Sequence, residues 1–332
     1  MAGADAGSQG QFEHELKQEQ AELGTAPHHT MAELDRDLRA RRGELGAAAR
    51  ARGVRLLASA TSPLDQHVST TADDRYERMT ELFGRVARTQ LTCGMHVHVS
   101  VDSPDEGVAV LDRIGAWLPA LVALSANSPY FEGQDTDYAS YRTVLWGAWP
   151  TAGVTEPFGT VEMYEQARTA LIASGAALDQ GMIYFNARLS ARYPTVEVRV
   201  CDVCADVVDV PVLAALARAM VSTAAVQAAE GEPPREIRAE LLRAGMWRAA
   251  RWGIEQDLFD PCSGRLLPAW DLVGGLVERL TPALKGTGDE QLVRDGLARI
   301  RSRGTGARLQ RAAHADGGIV AVVDALAERT IG

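Results

Sequence analysis

Gly94-Met95-His96-Val97-His98-Val99-Ser100-Val101 sets Met95, Val97, Val99 and Val101 against His96, His98 and Ser100. Side chains on a strand alternate between faces, so this stretch predicts a strand with an apolar face for a core and a polar face bearing two imidazoles. Two further stretches share this pattern. Ile183-Tyr184-Phe185-Asn186-Ala187-Arg188-Leu189-Ser190 puts Tyr184, Asn186 and Arg188 on one face, and Thr195-Val196-Glu197-Val198-Arg199-Val200 sets its valines against Thr195, Glu197 and Arg199. Solvent-facing strands ordinarily carry Thr, Lys, Ser and Glu. A His-x-His, an Asn-x-Arg and a Glu-x-Arg point instead to a metal and an anion. The turn Ala191-Arg192-Tyr193-Pro194 joins the last two stretches, which predicts a hairpin in an antiparallel sheet and hence an α+β fold.

Outward from these strands the chain is largely helical. Residues 1–10 read as disordered, and residues 11–25 carry Glu13, Glu15, Glu19 and Glu22. Thr30-Met31-Ala32-Glu33 is a capping box that predicts a helix to about Gly53, with Leu34, Leu38 and Leu45 toward the core and Arg36, Arg39, Arg41 and Arg42 toward water. Val54 to Ala60 reads as a buried strand, and Thr71-Ala72-Asp73-Asp74 as the start of a helix to about Gln90. Ser103-Pro104-Asp105-Glu106 opens another helix, interrupted or ended by Pro119. Residues 125–160 are polar and turn-rich, a type of segment that often carries function. A helix is predicted from about Val161 to Ser174. From Val210 the chain reads as almost wholly helical, with Ala214 to Ala229 buried and Glu230-Gly231-Glu232-Pro233-Pro234 as a stop. Arg301 to Arg308 is basic and Gly-bearing, which suits closure over an anion or, as the favoured reading, a helix connection. The organisation expected is one domain over residues 11–332 with a helical part from about 210.

The 332 residues are 46% hydrophobic and 23% charged, the balance of a soluble globular protein. A net charge of -10 argues against a general nucleic-acid or anionic-membrane surface. No apolar run approaches the roughly 20 residues of a bilayer span, and Met1 to Gln11 has no apolar signal core, so the expectation is a cytoplasmic protein without membrane or nucleic-acid partners. Four cysteines do not make a disulfide framework. Cys201 and Cys204 lack the second pair that a zinc site needs.

His96 and His98 suit a metal or phosphate contact, with structural hydrogen bonding as the alternative. Glu197 suits Mg²⁺ and Arg199 a phosphate, each charge offsetting the burial of the other, with a weak surface ion pair as the alternative. Glu15 and Glu22 do not share a strand face, so spacing alone does not bring both to one metal. Asp135, Tyr138, Ser140 and Arg142 place an Arg among hydroxyls, which suits a substrate carboxylate. A zinc hydrolase built on His96-x-His98 would need further ligands, and His14, His28, His29, His67 and His314 sit in no matching motif.

From about residue 12 onward the chain resembles the bacterial carboxylate-amine ligases, the type 2 glutamate–cysteine ligases of the glutamine synthetase superfamily. The resemblance is carried by residues 93–100 (CGMHVHVS), 124–130 (LSANSPY), 133–142 (GQDTDYASYR) and 193–200 (YPTVEVRV), supported by 303–308 (RGTGAR) with Gln310 and Arg311. It implies a glutamine synthetase-like fold: a mainly antiparallel sheet, packed by helices, whose concave face binds ATP and Mg²⁺ or Mn²⁺. Residue by residue, it implies that His96, Glu197, Glu15 and Glu22 are metal ligands. His98, Arg188 and Arg199 face phosphates, with Arg199 and Glu197 catalytic, and Arg142 and Tyr138 meet the amino-acid substrate. The implied activity is ATP-dependent joining of glutamate to an amine such as cysteine through an acyl phosphate, with weak glutamate–cysteine activity, and a homodimer would cover apolar helices and sheet edges. Three departures stand out. Family members have an earlier strand near Gly-Val-Glu-Glu-Glu with no counterpart in Met1 to Gly10, Ser62 stands where His is usual, and Asn186 where Asp is usual. The missing strand gives a second expectation, a non-catalytic relative that binds nucleotide or a partner subunit.

Overall fold

The computed structural model describes residues 12–14, 16–65 and 68–331. The reading of residues 1–10 therefore lies outside the described residues. A small antiparallel pair, β1 (Phe12–His14) and β2 (Ala21–Leu23), precedes helix α1 (Met31–Ala51). The expected capping box is formed: Glu33 N donates to Thr30 Oγ1, and Thr30 N donates to the Glu33 carboxylate.

Arg42 departs from the expected solvated face. It is buried, with Nη2 donating to Cys204 O at 2.9 Å and Nη1 reaching Thr330 O at 3.5 Å. Position 42 is four residues past Leu38 and three before Leu45, so it continues their inward stripe and only its charge argued otherwise. Arg42→Ala is expected to cost about 2 kcal/mol, because it strips buried carbonyls of their donor. Arg36→Ala, on the exposed face of the same helix, should stay within about 0.5 kcal/mol of the parent. Urea unfolding of the two variants side by side checks this, and equal costs would contradict the placement.

Val54 to Ala60 is not a strand. Its backbone is satisfied piecemeal, Ala58 N by Thr330 Oγ1 and Ala60 N by Asn127 O, and Val54 is 56% exposed. The helix expected to reach Gln90 is broken at Gly84 (φ 57°) into α2 (Asp74–Phe83) and α3 (Arg85–Thr89). Strand β3 (Gly94–Ser100) is as expected and is followed by α4 (Pro104–Ile114), capped by Ser103 Oγ. The interruption falls before Pro119, at a 3-10 turn over Gly115–Trp117. Pro119 sits instead in the first turn of α5 (Leu118–Ser125), where its missing N–H costs no helical bond.

The polar segment folds into a short hairpin, β4 (Tyr130–Phe131) with β5 (Gln134–Asp135), and helix α6 (Tyr141–Trp146). Helix α7 (Val161–Ala173) leads to β6 (Ala187–Leu189) and β7 (Thr195–Asp202), the expected hairpin, although β6 is shorter than expected and Ile183 to Asn186 lie outside it. Helix α8 (Val210–Ala229) is buried along most of its length and packs against α1 and α4. The rest is α9 (Ala239–Trp252), the pair β8 (Leu258–Asp260) and β9 (Arg265–Leu267), α10 (Ala269–Thr287), α11 (Glu290–Arg303) and α12 (Gly306–Ile331). The Arg301–Arg308 stretch is a helix connection, as expected. Gly304 (φ 90°) ends α11, and Arg303 is tied to Asp206 and Asp209.

The fold is therefore mixed α and β with antiparallel strand pairs and a helical end. Among the described residues, however, the strands form four small sheets, the largest three strands in the order β3-β7-β6, and helices dominate. Two stretches, Pro104–Ser125 and Val207–Ala229, are long and apolar enough for a bilayer span, contrary to the composition reading. Both are mostly buried: their apolar surface is spent on the core shared by α4, α5, α8 and β7.

Candidate active site

As the middle strand of its sheet, β7 is hydrogen-bonded along both edges, and cross-strand side chains of β3 and β6 flank its own. Val196 through Asp202 are all buried. The register sets His98 of β3 and Arg188 of β6 directly across from Glu197. A bulge between Met95 and Val97 turns His96 toward the same carboxylate.

Glu197 is 3% exposed and lies inside a ring of cationic and imidazole groups. Its Oε2 accepts from Arg188 Nε at 2.7 Å, and its Oε1 accepts from Arg199 Nη1. His96 Nδ1 is 3.4 Å and His98 Nε2 3.9 Å from Oε1. Arg188 is anchored by donating Nη1 to Ile183 O at 2.8 Å and Gly181 O at 2.9 Å. Arg199 instead lies over the rings of Trp146 and Tyr184, 5.8 Å from each centroid, and its buried Nε has no hydrogen-bond partner. His98 Nδ1 pairs with Thr195 Oγ1 at 2.9 Å, which leaves Nε2 toward Glu197.

Burial pushes the Glu197 carboxyl up, but the Arg199 and Arg188 guanidiniums outweigh it and hold the carboxyl down at about 2. Burial, reinforced by Arg199, holds His96 well below the ordinary 6.5, so its ring is neutral with a lone pair free to ligate. Both groups bind a proton less readily folded than unfolded. The stability they contribute is present above their unfolded values and lost on acidification, below about pH 6.5 for His96 and from 4.5 toward about 2 for Glu197. The urea midpoint should fall from pH 7 to pH 5 and further by pH 3.5. A midpoint that rises over that interval would contradict this electrostatic reading.

Glu22 of β2 is exposed and exerts a minor electrostatic influence on His98. Glu15 lies outside the described residues. Arg142 sits beneath the sheet, 2% exposed, with Nη1 on Val200 O at 3.3 Å and Nη2 on Arg199 O at 3.1 Å. It shares the Trp146 ring with Arg199. A Cβ at Gly94 would lie 2.2 Å from Arg142 Nη2, so glycine there lets the guanidinium run directly under β3. Tyr138 is elsewhere. Its hydroxyl accepts from the exposed Trp247 Nε1, and Arg251 lies over its ring. Arg142 and Tyr138 are thus not brought together.

Sequence reading missed Trp146, although it is four residues after Arg142 and so on the same face of α6. It also missed Asp202, which falls on the valine face of β7 and carries no pattern signal. Asn186 meets the cluster through its backbone, its O accepting from Arg199 N at 2.9 Å, and it lines a small cavity with Asp112, Arg113 and Arg235.

Among the described residues no group of three or more His, Cys, Asp or Glu is arranged to hold a metal ion. That donor set is too small for a resident structural zinc. It fits Mg²⁺, which takes one or two carboxylates and completes its shell with water and substrate phosphates. Cys201 and Cys204 are buried free thiols, and burial pushes Cys201 up to about 12, so neither is a ready ligand or nucleophile.

The family model described as glutamate–cysteine ligase family 2 matches residues 3–325. A Frankia alni protein named "putative glutamate–cysteine ligase 2-2" is 50% identical over 317 residues, covering 95% of this chain and 83% of that protein. A Paenarthrobacter aurescens protein named "putative glutamate–cysteine ligase 2-1" is 47% identical, covering 94% of this chain and 80% of its own length. A Streptomyces coelicolor protein named "putative glutamate–cysteine ligase 2" is 46% identical, covering 98% and 90%.

Proposed function

Because this chain belongs to glutamate–cysteine ligase family 2, we propose that it is an ATP-dependent carboxylate-amine ligase joining glutamate to cysteine. The observation that carries this reading is the ionised, buried Glu197 on the middle strand, ringed by Arg188, Arg199, His96 and His98. A carboxylate and a neutral imidazole beside two guanidiniums suit a metal-bound polyphosphate, and no protein nucleophile is needed.

The proposed chemistry has two steps. A side-chain carboxylate oxygen of glutamate attacks the γ-phosphorus of ATP, and the bond to the bridging oxygen breaks to release ADP. The amine nitrogen of cysteine then attacks the acyl carbon, phosphate departs with the former carboxylate oxygen, and the nitrogen gives up its proton. Glu197 and His96, with Glu22 and Glu15, are the residues proposed to hold the divalent cation. Bound there, the cation would neutralise charge on the phosphate oxygens. Arg199 stabilises charge on the transferred phosphoryl group, and His98 and Arg188 complete the anion-facing wall. Arg142, whose buried Nε has no hydrogen-bond partner, is proposed to face the amino-acid substrate, and Tyr138, which stands apart beside Trp247, is a separate candidate for that contact. Cytoplasmic location and a homodimer belong to the same proposal.

The test is phosphate release from ATP and Mg²⁺ with glutamate fixed and a panel of amines, product identity being read by mass. Release that requires cysteine, with γ-glutamylcysteine formed, supports the reading. ATP binding with no amine-dependent release would place the protein among non-catalytic relatives.

A further inference from the structure

We infer that Glu197 and Arg199 neutralise each other in the free protein and exchange partners when a divalent cation and a polyphosphate bind together, while Arg188 stays in place. This rests on the metal–nucleotide reading proposed above and adds the order of events at that site. Both oxygens of Glu197 already accept from a guanidinium, Oε2 from Arg188 and Oε1 from Arg199, so a cation reaching Oε1 meets the Arg199 charge at close range and is repelled unless that guanidinium turns away.

The two arginines are not held alike. Arg188 has a second anchor in the carbonyls of Gly181 and Ile183, which it keeps whether or not Glu197 bonds to it. Arg199 has one side-chain hydrogen bond among the described residues, to Glu197, and an Nε with none. It rests on the faces of Trp146 and Tyr184, which hold a cation without fixing its orientation. Arg199 can therefore turn where Arg188 cannot.

Each half of the exchange is unfavourable alone. A cation on Glu197 strands Arg199 as an unpaired buried charge, and an anion on Arg199 strips Glu197 of a counter-charge. Together the two arrivals leave every charge paired. Cation and polyphosphate binding are then strongly and reciprocally coupled, and the free protein resists the cation alone.

The test uses Mn²⁺ as the metal probe, read by the electron-paramagnetic signal of the free ion, on the full chain without nucleotide. Arg199→Met should bind Mn²⁺ at least tenfold more tightly than the parent, and Arg188→Met should change it far less. Equal tightening by both variants would mean that loss of positive charge is the whole effect, and no tightening in Arg199→Met would mean that Glu197 is not blocked. Either result overturns the exchange. The second readout is tryptophan fluorescence of the parent on adding Mg²⁺ with the β,γ-imido analogue of ATP. A change abolished by Trp146→Phe and retained in Arg142→Met shows Arg199, and not the Arg142 that shares the ring, leaving Trp146, and it decides the matter if Arg199→Met does not fold; no Trp146-dependent change, with binding shown by calorimetry, overturns the exchange. If calorimetry finds that the parent binds neither Mn²⁺ nor the Mg²⁺–analogue complex, the metal–nucleotide reading fails and the exchange fails with it.

Discussion

Glu197→Gln is expected to abolish ATP-dependent ligation and to destabilise the fold by about 3–5 kcal/mol, the usual cost of removing one partner from a buried ion cluster. By sequence alone the substitution looks neutral for folding, since glutamine matches glutamate in volume. The structure changes that expectation. Arg199 is 6% exposed and Arg188 faces the same carboxylate, so glutamine leaves two guanidiniums with no full counter-charge. The amide nitrogen adds a donor where donors already converge. Burial already lowers the Arg199 pKa to about 10, with Glu197 the largest opposing influence. Removing Glu197 therefore takes away what keeps Arg199 charged at little cost. Glu197→Gln unfolding within 1 kcal/mol of the parent would show that the cluster is more solvated than its geometry implies.

Asp202→Ala should be comparably severe, about 4 kcal/mol, without touching the charged cluster. Asp202 is fully buried, and its carboxylate accepts from Asn127 N at 2.8 Å, Ser128 Oγ at 2.8 Å and Ser140 Oγ at 2.9 Å. These donors lie at the two ends of the segment from α5 to α6, so one side chain clasps both. Ser128 Oγ in turn accepts from Arg142 N at 3.1 Å, which carries the clasp to the root of Arg142. Alanine leaves three buried donors unmet, at about 1–3 kcal/mol each before relaxation, and opens a small cavity. Asp202→Asn keeps the volume and one acceptor oxygen, so it should lose roughly half as much. Urea unfolding gives the totals. Hydrogen exchange across residues 128–142 should quicken in Asp202→Ala before other regions do, and unchanged exchange there would remove the clasp from the account.

The central strands were legible because their signal is local. Alternation fixed β3 and β7 and their polar faces, and the capping residues Thr30 and Ser103 fixed two helix starts. What stayed hidden depends on contacts between distant parts of the chain. Whether Arg42 faces water depends on Cys204 and Thr330, more than 150 residues away. Val54 to Ala60 has the composition of a strand, but no strand among the described residues offers it a ladder. The candidate site divides in the same way. His96, His98, Arg188, Glu197 and Arg199 could be grouped from three strands with one kind of face. Their meeting at one carboxylate required the pairing order β3-β7-β6, which no single stretch encodes. Arg142 and Tyr138 are near in sequence and were expected together, but α6 begins between them and turns Arg142 under the sheet while Tyr138 stays with Trp247.

The most direct test of the proposed ligase chemistry follows oxygen. Glutamate labelled with ¹⁸O in its side-chain carboxylate would be incubated with ATP, Mg²⁺, cysteine and the 332-residue chain, and the released phosphate analysed by mass. Attack of the carboxylate on the γ-phosphorus carries one labelled oxygen into each phosphate released with product, and that is the predicted result. Phosphate formed at the same rate as γ-glutamylcysteine but free of label would contradict the acyl phosphate, and with it the proposed role of Arg199 in stabilising the transferred phosphoryl group.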